Sequence, residues 1–145
     1  MIDGRHHLGL VIDEDSQHVA FVTDSGRLVS SKEVARLLIE IAQRENHQAR
    51  FVVASSLVRD VMQWLAGRDA KAIDGGESTA NLVRLLVEND AVLALSGDGR
   101  VWFRQCEIAC DAILVLANIL QALSLSDAPF AEVVARISDD AEKQA

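Results

Sequence analysis

What the sequence is short of narrows it first. Its longest unbroken apolar runs, such as Ile113 to Ala117, are cut short by residues like Asn118 and fall far below the ~18 residues that a membrane-spanning helix needs. No membrane segment is therefore expected. Clustered Lys and Arg are missing too, in a chain of net charge −8 and pI near 4.9. Nucleic acid and anionic membrane are poor partners for such a surface, because both are bound through positive charge. Proline occurs once and glycine eight times, against 50% hydrophobic and 25% charged residues, which is the balance of an ordered globular chain and not of a low-complexity one. Cysteine is limited to Cys106 and Cys110, too few for a secreted disulfide scaffold or a cysteine metal site. Their spacing predicts two reduced thiols on one helix face. After Met1 to His7, only five apolar or small residues precede Asp13, too few for a secretory signal. A cytoplasmic location is expected.

What is present reads as one α/β domain. A compact chain of 145 residues buries about 68–70 % of the surface its unfolded form exposes, enough for a single core. Leu8 to Ile12 and Val19 to Val22 are short apolar runs closed by acidic or turn-forming residues, and they predict two strands. Ser30-Ser31-Lys32-Glu33 has the form of a capping box, followed by Val34, Leu37, Leu38 and Ile41 at helical spacing to about Arg44. Arg50 to Ala54 reads as a strand, Leu57 to Leu65 as a helix stopped by Gly67, and Ala70 to Ile73 as a strand. Ser78 to Glu88 reads as a helix capped by Ser78, and Ala91 to Leu95 as a buried strand. Ser96-Gly97-Asp98-Gly99-Arg100 is a turn by composition and Val101 to Phe103 its returning strand. A very apolar helix from Ile108 to about Leu123 follows, capped near Asp111 if it starts late. A short helix carrying Phe130, Val133, Val134 and Ile137 comes last. Residues 1–7 read as an extension, 8–137 as the domain and 138–145 as a polar tail. Alternating strands and helices predict one mixed, mostly parallel sheet with helices packed on it, antiparallel where the two hairpins fall.

The order of these pieces resembles the α-D-phosphohexomutases, the phosphomannomutase, phosphoglucomutase and phosphoglucosamine mutase group. In that family an Asp-Gly-Asp-x-Asp-Arg magnesium loop between two strands ends the second domain, and a turn of Asp-x-x-Gly-Arg type follows. Asp13-Glu14-Asp15-Ser16-Gln17-His18 and Asp24-Ser25-Gly26-Arg27 occupy those places here. Ala91 to Phe103 is similar to the sugar-binding Gly-Glu-x-Ser-Gly-His hairpin, and Cys110-Asp111-Ala112-Ile113-Leu114 to the Gly-Asp-Gly-Ile-Leu helix start. Ala128 to Val133 is close to the usual ending of the third domain. The likeness covers residues 8–137 and is one of layout more than of functional residues.

Carried over residue by residue, the resemblance implies a reduced site. Asp13 and Asp15 keep two of three metal positions, Gln17 stands where the third Asp belongs, and His18 replaces the Arg. A magnesium ion prefers oxygen ligands and carboxylate charge, so Mg²⁺ binding is expected to be weak at most. In the hairpin, Ser96 stands at the family's Glu, Asp98 at its Ser, Gly99 is kept and Arg100 replaces His; these four are the candidate sugar-phosphate contacts. No segment matches the phosphoserine loop, Ser30-Ser31 and Ser55-Ser56 read as helix caps, and the phosphate-gripping fourth domain has no counterpart. No catalytic residue is assigned. The resemblance thus implies a phosphohexomutase-like domain related to carbohydrate metabolism that is inactive alone and acts as a binding or scaffold module. Alternatives are one component of a split Mg²⁺-dependent mutase, or a sugar-phosphate sensor. Expected partners are a second copy of the chain or a protein carrying the missing mutase domains. His6, His7, His18 and His47 are read as loop or extension residues without a site.

Overall fold

The computed structural model describes residues 7–143. The chain opens with a hairpin, β1 (Leu8–Ile12) and β2 (Val19–Thr23), which pair antiparallel as a sheet of their own. Helix α1 (Ser31–Glu45) follows, started by the predicted capping box: the Ser30 side chain accepts from the Glu33 N–H while the Glu33 carboxylate accepts from the Ser30 N–H. Two of the four N–H groups that a helix start leaves unpaired are thereby answered. The next elements are β3 (Arg50–Val53), α2 (Ser55–Trp64), β4 (Lys71–Asp74), α3 (Thr79–Glu88), β5 (Leu93–Leu95) and β6 (Val101–Phe103). A 3₁₀ turn at Arg104–Cys106, β7 (Ala109–Cys110), α4 (Ala112–Ser124) and α5 (Phe130–Lys143) complete the chain.

The main sheet is mixed, in the order β4-β3-β5-β6-β7. β3 runs parallel to both β4 and β5, whereas β5-β6 and β6-β7 are antiparallel. Side chains alternate across the pleat, and the core divides accordingly. Phe51, Val53, Leu93, Leu95, Val101 and Phe103 face a large cluster with α1, α2, α4 and α5. Val52, Ala94 and Trp102 face a smaller one made with Leu82 and Leu86 of α3. Sandwiched between these layers, Phe51, Val52 and Val53 are all 0% exposed, which explains a run with no polar alternation. The β1–β2 hairpin is anchored through Phe21, also 0% exposed, whose ring centroid lies 6.0 Å from that of Phe130 at the start of α5.

Three expectations change. The apolar segment from Ile108 does not begin as a helix. Glu107 and Ile108 both take left-handed backbone angles, the chain reverses, and β7 adds to β6 before Asp111 caps α4 by accepting from the Ile113 N–H. Cys106 and Cys110 consequently do not share a helix face: Cys106 ends the 3₁₀ turn, and Cys110 lies in β7 as a free thiol. Burial pushes the Cys110 thiol above its ordinary range, so it is a packing residue and a poor nucleophile. The last helix is longer than predicted and continues to Lys143, so residues 138–143 of the supposed tail are helical; the apolar spacing stops at Ile137 because the core stops there. The N-terminal extension, apart from His7, lies outside the described residues. Among the described residues no helix is long and apolar enough to cross a membrane.

Because Phe21 is the hairpin's fully buried aromatic anchor, Phe21→Ala should cost about 3–5 kcal/mol, the usual range for emptying a fully buried Phe site. Urea denaturation should show a lower midpoint with unchanged slope.

Candidate functional site

Two loops distant in sequence meet at the carboxyl-terminal side of β5. The first is the turn between β1 and β2. Its acidic residues begin with Asp13, whose Oδ1 accepts from the backbone N–H groups of Gln17 at 2.9 Å and His18 at 3.1 Å. The turn is closed by the Ser16 N–H donating to the Asp13 carbonyl at 3.1 Å. It is fastened to the body by the Ala112 N–H, which donates to the Ser16 carbonyl at 2.8 Å. The second loop, Ser96 to Arg100, is a hairpin turn in which Gly99 takes a left-handed φ of 95° that suits glycine. Ser96 Oγ accepts from the Arg100 N–H at 2.9 Å and donates to Asp98 Oδ1.

His18 joins the two loops. Its Nδ1 lies 2.6 Å from Asp13 Oδ2, and its Nε2 receives the Nε–H of Arg100 at 3.2 Å. Arginine has donors only, so Nε2 must present a lone pair, and the ring proton then sits on Nδ1 and points at Asp13. Arg100 Nη2 also pairs with Asp98 Oδ2 at 3.0 Å, and Asp98 Oδ2 is 3.5 Å from His18 Nε2. The result is a chain of polar groups from Asp13 through His18 and Arg100 to Asp98 and Ser96. Backbone and side-chain hydrogen bonds from His18 hold the Asp13 carboxyl below its ordinary value of 3.8. At Asp98, partial burial works upward, yet the Ser96 hydroxyl, the Arg100 N–H and the Arg100 charge outweigh it and the carboxyl is lowered as well.

Of the predicted residues, Asp13, Ser96, Asp98 and Arg100 are brought into one network, with Gly99 making the turn that aims them. Asp15 is not part of it. It stands exposed in the turn, and among the described residues it has no hydrogen-bond or ion-pair partner. His18, assigned no site from sequence, is the connecting residue. The available signal is its place directly after the acidic turn. The residues do not fit a magnesium ion as arranged. Asp13 Oδ1 already accepts two N–H groups, Oδ2 is engaged by His18, and Gln17 supplies no charge. No group of three metal-ligating side chains occurs among the described residues.

The ends of β3 and β4 border the same region. Ser55 and Ser56 do not act as caps; the α2 N-cap is Ala54, without a side-chain bond. Instead the Ser55 hydroxyl donates to Asp74 Oδ1 at 2.5 Å, and Glu77 Oε1 accepts the Ser56 N–H at 2.7 Å. The Ser55 hydroxyl and then the Gly76 N–H lower the Asp74 carboxyl. A Cβ placed on Gly97 would collide with Ser56 Oγ, so the hairpin lies directly against the first turn of α2.

Both lowered carboxyls of the network carry the same pH sign. A group whose folded-state pKa is depressed adds stability above its unfolded value, and that stability is lost as pH falls through the folded value. The Asp13→Asn variant should therefore melt below wild type at neutral pH, and the gap between the two melting curves should close as pH drops below about 4. Melting followed by circular dichroism from pH 7 to pH 2.5 checks this; a constant gap would contradict the assignment to Asp13 ionisation.

No protein-family model and no curated protein matches the sequence. Solved structures do match the fold. A phosphoglucomutase/phosphomannomutase family protein from Burkholderia thailandensis superposes with a TM-score of 0.78 at 20% identity, covering 87% of this chain and 28% of its own. A protein named as a phosphomannomutase from Thermus thermophilus superposes with a TM-score of 0.79 at 16% identity, covering 93% of this chain and 31% of its own. The chain therefore spans about three-tenths of the length of these structures, and what they share with it is the fold of one phosphohexomutase-like α/β domain.

Proposed function

We propose that this chain is a phosphohexomutase-like domain that works as a binding or scaffold module and does not carry out phosphoryl transfer by itself. The observation behind this reading is the closure of the Asp13-His18-Arg100-Asp98 chain. In phosphoryl transfer, positioning and electrostatic stabilisation supply nearly all of the catalysis, so a site contributes through charge it can turn toward the substrate. Here the Asp13 and Asp98 carboxylates are already answered by groups of the protein. The guanidinium of Arg100 is likewise engaged through Nε and Nη2.

A role in assembly is supported by the uneven surface. Helix α4 carries no charged residue from Ala112 to Ser124; its Ile113 and Leu120 are exposed, as are Val11 of β1 and Leu125 just beyond α4. The expected cover is a second copy of the chain, or else a protein bearing the remaining parts of a mutase.

The chain alone should give no turnover above background in a coupled assay of hexose 1-phosphate to hexose 6-phosphate with Mg²⁺; Mg²⁺-dependent turnover would overturn the reading. Size-exclusion chromatography with light scattering should return a dimer at micromolar concentration, and a clean monomer would remove self-association. The double change Gln17→Asp with His18→Arg rebuilds the charge of the three-carboxylate loop and frees Asp13 Oδ2. It should gain a melting-temperature rise in millimolar Mg²⁺, as ligand linkage requires, where wild type shows little.

A further inference from the structure

The opposite end of the sheet presents the reverse electrostatic situation. We propose that the cleft there binds a small phosphate-bearing metabolite through Arg44, Arg68 and Arg136, a site independent of the hairpin network and of its proposed role. The cleft has a volume of about 480 Å³ and is lined by residues near the end of α1, the turn after α2, and α5. α1 leads into the start of β3 and α2 into the start of β4, so the cleft lies at the amino-terminal ends of the parallel strands.

Charge singles it out. In a chain of net charge −8, three arginines line this cleft against two carboxylates, Glu40 and Asp69. Glu40 answers two of the arginines with one atom: its Oε1 accepts from Arg44 at 2.8 Å and from Arg136 at 3.1 Å. A guanidinium carries five N–H donors, and among the described residues this oxygen is the sole acceptor that either of the two meets. Arg68 has no carboxylate partner among the described residues. Its guanidinium carbon sits 4.2 Å from the centroid of the buried Trp64 ring, and its Nη1 donates to the Gln43 amide oxygen at 3.2 Å. Both partners are neutral and nearly buried, Trp64 at 1% and Gln43 at 8% exposure, so they hold the fork without cancelling its charge.

Helix-end capping does not account for the group. Arg44 lies in the last turn of α1, where a cation is favoured by the macrodipole. Among the described residues, however, none of the three donates to a helix-end carbonyl; their acceptors are side chains. Planar forks on different elements match the several oxygens of a phosphate better than a single-point anion such as chloride. The cleft is open, so the phosphate group is the recognised part and the remainder of the metabolite stays toward solvent.

The test is an amide NMR titration of the whole chain with inorganic phosphate, ionic strength being held with sodium chloride. Saturable shifts are expected at residues 43–47, 67–69 and 136. The Arg68→Gln and Arg136→Gln variants should each bind about tenfold more weakly, the scale of one lost charge-assisted hydrogen bond. Arg68→Lys, which keeps the charge and loses the fork, should fall between. Arg84→Gln, altering a guanidinium paired with Glu88 on α3, should bind as wild type. If Arg68→Gln melts before the assay temperature, Arg136→Gln decides, since its side chain is largely exposed. Linear, non-saturating shifts would overturn the proposal, and so would unchanged affinity in Arg136→Gln or tighter binding of citrate than of phosphate. Saturable shifts centred on residues 96–100 would also overturn it, and would instead favour phosphate contact at the hairpin. Absence of mutase turnover has no bearing on any of these outcomes.

Discussion

The imidazole of His18 lies between two loops that come from different sheets, and what either loop can bind depends on that bridge. Without it, Asp13 would present a free carboxylate oxygen and Arg100 a free Nε–H on facing surfaces. With it, proton donor and acceptor capacity are used within the molecule: Nδ1–H on Asp13, the Nε2 lone pair on Arg100, and Arg100 in turn on Asp98. The bridge is not what holds the fold. Ion pairs exposed to this degree contribute only about 0–1 kcal/mol each, whereas the hairpin is held by the burial of Phe21 against Phe130, by Leu8 and Val19 on the same cluster, and by the Ala112 N–H on the Ser16 carbonyl. Packing brings the loops together, and the polar network then determines how much charge they offer.

The same closure recurs along that end of the sheet. Asp74 is engaged by the Ser55 hydroxyl and the Gly76 N–H. Glu77 takes the Ser56 N–H, a donor of the first turn of α2 of the kind that otherwise receives a bound anion. A side chain at Gly97 would have to displace the Ser56 hydroxyl. Ligands of open α/β sheets collect at the carboxyl ends of the strands, at the point where strand order reverses. In this chain that place is occupied by the protein's own carboxylates, hydroxyls and backbone.

Most of the fold is legible in the sequence because its signals are local. The capping box at Ser30 and Glu33, the Ser78 cap and the apolar spacing of α1, α2 and α3 each act within a few residues. The mixed sheet follows from the alternation of strand and helix, together with the short β5–β6 turn. What escapes is non-local or conformational. Ile108 to Cys110 are apolar in either a strand or a helix, so spacing misplaces the start of α4, and only the left-handed angles of Glu107 and Ile108 turn the chain back onto β6. Ser55 and Ser56 resemble caps, yet their partners sit 19 and 21 residues onward. The site is legible as a pair of loops but not as a network. A contact across 82 residues between His18 and Arg100 leaves no trace in spacing.

The two poles of the sheet therefore differ in a way that net charge conceals. At the carboxyl end, Asp13, Asp74, Glu77 and Asp98 are internally answered, while Asp15 stands apart from the network. In the cleft at the amino end, three guanidiniums face two carboxylates, and Arg44 and Arg136 share one acceptor. Since stability depends little on exposed pairs, neither arrangement is required by the fold, and the hydrophobic clusters on both faces of β3 would support either. An excess of donors held in fixed positions by neutral partners such as Trp64 and Gln43 is an arrangement that an anion completes. Asp13 and Asp98, whose oxygens are already engaged, form an arrangement that a cation must first dismantle. The pole that sequence resemblance points to is thus electrostatically the less receptive of the two.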